Sequence, residues 1–247
     1  MMHNEIRWNL RDICKVFLCY FTMMMVGIPV LLKVFKIFFG LDVAELLGHN
    51  VTILTLSLGV NVFACLYVFY IIRVDYGQPL SVLGLSTDNW KPNVRLGLKH
   101  YFIILPFILL ASYAVDFISK LFGFSPGNQE IIMKLLEEDS FSVLVFMVIF
   151  GTLVAPVIEE LLFRGFLHPA IRPVFGKTKT IIFSASLFAL VHLNIHVFLQ
   201  IFILGLLLAY LYEKTRSLIA PITVHILHNS ITIAFLISYK QLFKDHV

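Results

Sequence analysis

Apolar segments of about 20 residues, the length of helix that crosses a ~30 Å bilayer core, recur along the whole chain. They constrain the fold more than any other feature of the sequence. The composition agrees with them, because 59% of the 247 residues are hydrophobic and 14% are charged, whereas soluble domains are about half apolar. We therefore predict an integral membrane protein with an all-α fold, a polytopic bundle of transmembrane helices.

The predicted bundle has about seven spans, with eight as the alternative count. They are placed at 14–39, 51–72, 98–118, 141–163, 180–195, 197–212 and 218–238. The fifth and sixth are short and are joined only by Leu193-Asn194-Ile195-His196, which predicts a tight helical hairpin. No internal repeat and no soluble second domain is recognisable, so residues 1–247 are treated as a single membrane domain.

Basic residues predict how the bundle is oriented. Seven spans with a cytoplasmic N-terminus place 13 of the 19 Lys and Arg residues in inner segments. By the positive-inside rule, this favours an inner N-terminus and an outer C-terminus. The net charge of +4 is mild, which suits anionic lipid headgroups and does not indicate a nucleic-acid partner. The first span is interpreted as a retained anchor rather than a cleaved signal peptide.

Two adjacent carboxylates, Glu159 and Glu160, end the apolar run that begins at Phe141. Ionisable groups at membrane depth are rare, usually paired and often functional. Residues four apart share a helix face, whereas adjacent residues diverge by about 100°. The spacing therefore predicts a structural ion pair between Glu160 and Arg164, and it leaves Glu159 free to face the interior of the bundle.

Three more polar side chains fall at the predicted depth of Glu159. If the fourth span continues to about Pro169, Glu159 lies about 15 Å from the cytoplasmic end of that helix. On the same count His192 lies about 18 Å from the end of the fifth span, and His225 and Asn229 lie about 12 and 18 Å from the end of the seventh. This coincidence of depth predicts a shared site.

The chemistry that such a site favours is water-activated acyl hydrolysis. A buried carboxylate near an imidazole can orient a water molecule and accept its proton, and His and Asn side chains can donate to an oxyanion. The sequence has neither the Gly-x-Ser-x-Gly nor the His-Glu-x-x-His motif. Its three cysteines form no Cys-x-x-Cys pair, so neither a disulfide framework nor a zinc–thiolate site is predicted. The simpler alternative is that His225 and Asn229 only hold helices together.

Three short motifs follow one another along the chain: Glu159-Glu160-x-x-x-Arg164, Phe188-x-x-x-His192 and His225-x-x-x-Asn229. In this order they resemble the motifs of the CPBP family of CAAX-processing and bacteriocin-processing proteins, also called Abi or type II CAAX prenyl endopeptidase (Rce1-like) proteins. The stretch from Phe202 to Pro221 is similar to the family's connecting region. The resemblance covers residues 141–235, which form the predicted catalytic core.

The resemblance implies an intramembrane endopeptidase whose site opens to the cytoplasmic side. It implies that Glu159 and His192 activate the water and that His225 and Asn229 stabilise the oxyanion. Supporting roles are implied for the remaining motif positions, Glu160, Arg164 and Phe188. For Phe188, a wall that limits access of water and an ordinary packing role both remain open.

No metal cofactor is favoured, and zinc is the alternative. Neutral imidazoles and a carboxylate are competent zinc ligands, so an ion would be held by Glu159, His192 and His225. These residues lie on three different spans, however, and no short ligand pair combines a carboxylate with a histidine. His196 and His228 are expected to be turn or packing residues rather than further ligands.

The predicted partners are a peptide or membrane-protein tail as substrate, together with membrane lipids. A bacterial cell membrane is the expected location. The alternative function is a non-catalytic membrane protein of the same family, acting in bacteriocin self-immunity or as a scaffold. A transporter is less favoured, because no inverted repeat or pair of broken helices is recognisable. The sequence alone determines neither the substrate nor the oligomeric state.

Overall fold

The computed structural model describes residues 7–43, 45, 49–123, 138 and 140–242. These residues contain no strand, and six of their helices are long and apolar enough to cross a membrane. We number them α1 to α6 in chain order: Leu10–Phe39, Val51–Asp75, Trp90–Leu121, Phe141–Leu190, Ile195–Thr215 and Ile219–Leu242. The predicted all-α membrane fold is confirmed, and the predicted count of about seven spans is close.

Helix α4 explains the difference in count, because its 50 residues contain the fourth predicted span and most of the fifth. A straight helix of this length would extend about 75 Å. Instead α4 reverses at Gly176, whose φ of 72° and ψ of 172° are not helical. The reversal brings the rings of Phe163 and Phe188 to 5.2 Å between centroids. The two legs of α4, 141–175 and 177–190, therefore run side by side in opposite directions.

The prediction that the fourth span ends near Pro169 is wrong, since helical structure continues to the bend at Gly176. The extra turns begin with buried Ala170 and Ile171, and their later residues are more exposed. His168 is fully buried, and its Nε2 lies 3.1 Å from Oε2 of Glu213. Arg172 donates from Nε to Oε1 of the same carboxylate at 3.0 Å. Through these contacts, the polar residues near the end of the first part of α4 have a buried partner on α5, so this segment remains helical.

The second leg of α4 and helix α5 form the predicted tight hairpin. Leu193 adopts a left-handed conformation (φ 51°), and the side chain of Asn194 accepts a hydrogen bond from the His196 backbone N–H at 3.0 Å. The helices approach closely at Gly205, where an added Cβ would lie 3.2 Å from the Cα of Ala185. The leg 177–190 is only about 21 Å long, so this arm of the hairpin is shorter than a bilayer core and ends beside the middle of the first leg.

Three prolines account for local widening of the helices. The π-helical turns Met23–Gly27, Phe150–Val154 and Leu161–Leu167 are each followed, after one residue, by a proline. Proline offers no N–H to the carbonyl four residues earlier, and its ring pushes that carbonyl away. The regular ladder is therefore interrupted just before each proline. The second and third of these turns flank the carboxylate pair on α4.

The start of α1 is fastened to α4 and to the connection after α2. Trp8 donates from Nε1 to the Phe166 carbonyl at 2.8 Å, and the two rings stack with centroids 5.9 Å apart. The Tyr76 hydroxyl donates to Oδ2 of Asp12 at 2.5 Å. Because this bond stabilises the neutral phenol, it raises the pKa of Tyr76 to about 12. The same face of α1 continues toward the carboxylates.

Candidate active site

The carboxylate pair lies between two π-helical turns of α4 and is split as the spacing predicts. Glu160 is fully buried, and its Oε1 accepts a hydrogen bond from Arg164 Nη1 at 3.0 Å, with both side chains inaccessible. The side chain of Glu159 keeps 29% of its surface exposed. The predicted ion pair is present, and Glu159 is left to face a cavity.

Arg164 is fully buried in the core of the bundle, where two further groups contact its guanidinium. Its Nη2 donates to the Gly205 carbonyl on α5 at 3.3 Å. Its guanidinium carbon also lies 4.3 Å from the centre of the Phe188 ring, a distance at which the ring face attracts a cation. Removing one partner from such a buried pair leaves an uncompensated charge. The pair therefore fixes the position of Glu160, and through it the rotation of α4.

His225 on α6 connects the two carboxylates. Its Nδ1 lies 2.8 Å from Glu160 Oε1, and its Nε2 lies 3.8 Å from Glu159 Oε2. An ionised carboxylate only accepts hydrogen bonds, so Nδ1 carries a proton. The other nitrogen, Nε2, faces Glu159. The ring is buried, with 3% of the residue exposed.

His192 lies in the turn after the second leg of α4. Its Nδ1 donates to the Phe188 carbonyl at 2.7 Å, because a carbonyl can only accept. In the neutral ring this leaves a lone pair on Nε2. The Phe188 ring packs edge-on against His192 and His225, with centroids 5.0 and 5.6 Å away. Phe188 is almost completely buried, so it separates the two imidazoles and holds both in place.

A cavity of about 160 Å³ lies in front of Glu159 and His192, with room for several water molecules. Its other two polar residues are Tyr20 from α1 and Asn61 from α2, and the rest of the lining is apolar. The sequence alone assigns neither residue to the site. Asn61 is a polar residue inside a span, and this was the one feature that pointed to it. Tyr20 has no such feature, because one more aromatic residue in an apolar helix is ordinary.

Asn229 is placed differently from the other predicted residues. It lies one turn beyond His225 on α6, and its Nδ2 donates to the Gly151 carbonyl at 2.8 Å. Gly151 belongs to the π-helical turn before Glu159. Neither Asn229 nor His225 is part of the cavity lining. The contact seen for Asn229 joins α6 to α4, and its oxyanion role stays a prediction.

The fit of a metal ion can be judged from the donor atoms. Glu159, His192 and His225 have the right chemistry for zinc, and a histidine Nδ1–H bonded to a carboxylate or a carbonyl is a common arrangement behind a metal ligand. Within the part of the chain that the structure describes, however, no three His, Cys, Asp or Glu side chains converge closely enough to hold an ion. His228 lies instead beside Tyr101, with its Nδ1 3.3 Å from the hydroxyl. The side chains as placed do not form a metal-binding set.

Part of the chain is similar to a family of known proteins. Residues 141–231 match the family model of type II CAAX prenyl endopeptidase Rce1-like proteins. This match contains all seven motif residues and confirms the resemblance that those residues predict. Helices α1 to α3 lie outside it.

Among curated proteins, the chain is similar to the Bacillus subtilis (strain 168) protein named "Putative membrane peptidase YdiL". The two are 28% identical over 90 residues, which are 35% of this chain and 36% of that protein. The chain thus matches about a third of the length of this relative. No solved structure matches the chain. The similarities support an integral membrane protein related to proteases.

Proposed function

We propose that this protein is an intramembrane endopeptidase that hydrolyses a peptide bond with a water molecule held between Glu159 and His192. The observation that carries the proposal is the cavity itself. It presents a carboxylate that is 29% exposed and an imidazole whose Nε2 carries a lone pair in the neutral ring. Two acceptors facing one small space are the arrangement that orients a water molecule and removes its proton.

The reaction follows from the proton positions. Glu159 accepts a proton from the water while Nε2 of His192 accepts a hydrogen bond from its second O–H. The water oxygen attacks the carbonyl carbon, and the carbonyl electrons move to oxygen as an oxyanion. Glu159 then passes its proton to the leaving nitrogen, the C–N bond breaks, and a carboxylic acid and an amine are released.

His225 and the buried ion pair support this chemistry. With both ring nitrogens protonated, His225 would place a positive charge between Glu159 and Glu160 and direct Nε2–H toward the Glu159 side of the site. Arg164 balances the second carboxylate. The mechanism needs no metal ion, and each step uses side chains of this chain.

The substrate class we propose is a small peptide or the tail of a membrane protein, reached from the cytoplasmic side. Support comes from the similarity of residues 141–231 to the family of type II CAAX prenyl endopeptidase Rce1-like proteins. The apolar lining of the cavity suits a peptide that arrives from or along the bilayer. A bacterial cell membrane is the setting we propose.

The test compares wild-type protein with Glu159→Gln in liposomes, using a library of fluorophore–quencher peptides. We expect cleavage to fall by at least 10³-fold when the general base is lost, since base catalysis and positioning act together. Asp116→Asn is the matched control, because Asp116 is an exposed carboxylate on α3 that is not part of the cavity lining. Cleavage by Glu159→Gln at the wild-type rate would end the proposal.

A cellular experiment separates catalysis from a non-catalytic role. A deletion strain is complemented with wild-type protein, Glu159→Gln or His192→Ala, and the peptides of each strain are compared. We expect both variants to leave the same uncleaved precursor as the deletion. A biological effect that survives both substitutions would instead support the immunity or scaffold function.

A further inference from the structure

The cavity in front of Glu159 is completed by two helices that lie outside the family match. Tyr20 and Asn61 supply two of its four polar side chains, and they come from α1 and α2. The protease-like region, residues 141–231, therefore does not build the whole site. What these two side chains do is a separate question from what the motif residues do.

Tyr20 is held in place by a series of contacts along α1. Trp8 is hydrogen-bonded and stacked on Phe166, and Phe17 packs edge-on against Phe163 with centroids 5.4 Å apart. Tyr20 follows Phe17 by three residues and so shares its helix face. These anchors bring α1 progressively toward the carboxylate pair and leave the phenol at the cavity.

Asn61, on the neighbouring helix α2, lines the same cavity as Tyr20. It is 8% exposed, and its Nδ2 donates to the Ser57 carbonyl one turn earlier at 2.8 Å. That bond fixes the orientation of the amide and uses one of its two N–H groups. The second N–H can be directed at the oxygen of the tyrosine hydroxyl.

A peptide hydrolase needs hydrogen-bond donors where negative charge develops, and such donors contribute much of its rate. In the cavity, Glu159 and Nε2 of His192 are both acceptors. The amide of Asn229 is directed at Gly151, and neither it nor His225 contributes to the lining. Among the described residues that line the cavity, the donor O–H and N–H groups of side chains facing Glu159 belong to Tyr20 and Asn61.

We infer that the Tyr20 hydroxyl donates a hydrogen bond to the carbonyl oxygen of the scissile peptide and stabilises the oxyanion, with Asn61 as the residue that orients it. This inference rests on the proposed function. A tyrosine hydroxyl is an effective donor to an oxyanion in an apolar site. An amide N–H on its oxygen polarises the O–H further.

The experiment measures kcat and KM for Tyr20→Phe, Asn61→Leu and the double variant, with the same liposomes and fluorophore–quencher peptides. We expect Tyr20→Phe to lower kcat by about 10²-fold with KM changed less than about threefold, as loss of one oxyanion donor does. Asn61→Leu should lower kcat about tenfold. The double variant should equal Tyr20→Phe, because Asn61 acts through the hydroxyl that is already lost. Tyr113→Phe is the control, since Tyr113 is 69% exposed on α3.

A second measurement is independent of turnover. A peptide that carries a difluoromethyl ketone hydrates to a tetrahedral diol and so resembles the intermediate. The same peptide without the ketone does not. Tyr20→Phe should weaken binding of the tetrahedral probe about 10²-fold and leave binding of the plain peptide unchanged. A kcat within threefold of wild type, or equal weakening of both ligands, overturns the inference and leaves the proposed function standing. Absence of cleavage by wild-type protein overturns both.

Discussion

At the scale of single residues, two neighbouring carboxylates have opposite environments. Glu160 is inaccessible and shares its Oε1 between Arg164 and His225. Glu159 is 29% exposed and faces the cavity. Because adjacent helical residues point about 100° apart, one carboxylate is buried in an ion pair with Arg164 and the other faces the cavity. The same substitution should therefore have different effects at the two sites.

Glu160→Gln should destabilise the fold far more than Glu159→Gln. The first change leaves buried Arg164 without a countercharge, and breaking a buried pair costs about 3–5 kcal/mol. The second removes a partly exposed carboxylate whose histidine contact is long, at 3.8 Å. Thermal unfolding in detergent measures both, with Asp116→Asn as the reference. Equal shifts in Tm for the two variants would contradict the assigned roles.

Removal of metal should leave activity unchanged. Glu159, His192 and His225 do not converge as a ligand set among the described residues, although their chemistry is suitable. We expect purified protein to hold well under one zinc per chain and to retain its cleavage rate after dialysis against a chelator. Anomalous scattering at the zinc edge gives an independent check. A peak between these three side chains would overturn the metal-free mechanism.

At the scale of helices, prolines set the local rotation of α4. Pro156 follows one π-helical turn and Pro169 follows the next, and the carboxylate pair lies between them. A π-helical turn inserts one extra residue and rotates everything after it relative to what lies before. The direction in which Glu159 points is therefore decided by these turns as well as by its own position in the sequence.

Pro156→Ala should separate stability from activity. Alanine restores an N–H for the Thr152 carbonyl, and an interior proline costs about 3 kcal/mol relative to alanine. The unfolding free energy should stay equal or rise, while cleavage falls at least tenfold because the carboxylates rotate away from His192. Pro106→Ala, inside α3, is the matched control and should leave cleavage unchanged. Full activity in Pro156→Ala would show that the π-helical turn does not position the site.

A substitution at Trp8 tests how α1 is docked on α4. Trp8→Phe keeps an aromatic ring on Phe166 but removes the donor to its carbonyl, and an unpaired buried carbonyl costs about 1–3 kcal/mol. We expect Tm to fall and cleavage to fall with it, since Tyr20 depends on this docking. Trp90→Phe is the control, because Trp90 is 53% exposed. A loss of stability in the control as large as in Trp8→Phe would argue against a specific role for this bond.

At the scale of the whole molecule, the bend at Gly176 turns α4 back alongside itself as two antiparallel legs. The six helices therefore contain seven segments that run along the bundle. The basic residues nearest the bend and at the start of α6 are Lys177, Lys179, Lys214 and Arg216. Glu213 binds Arg172 and Arg216 at this end. From the positive-inside rule we predict that this end faces the cytoplasm.

Cysteine labelling in intact cells should confirm this orientation. In a background without Cys14, Cys19 and Cys65, Lys177→Cys should resist a membrane-impermeant thiol reagent until the cells are opened. Gln241→Cys, near the end of α6, should react in intact cells. Labelling in the reverse pattern would place the α4 bend outside and contradict the predicted topology.

The sequence by itself determined the class of protein and the approximate positions of the helices. It also determined that Glu160 pairs with Arg164 while Glu159 faces another direction. These properties depend on short-range periodicity. A helix repeats its face every three or four residues, and an apolar run of sufficient length has few alternatives to a membrane span. The order of the three motifs also predicted the family match over residues 141–231.

The tertiary structure alone decided which distant side chains share the cavity. Tyr20 and Asn61 reach Glu159 only because α1 and α2 pack on α4, and Asn229 meets Gly151 because α6 approaches a widened turn. The predicted spans 141–163 and 180–195 imply a reversal between them, but its position at Gly176 has no clear local marker, since a glycine followed by Lys-Thr-Lys also suits an ordinary loop. Packing between helices is not encoded in any one segment, because the partner can lie as far as 158 residues away along the chain, as Phe166 does from Trp8, and its contacts have no sequence period.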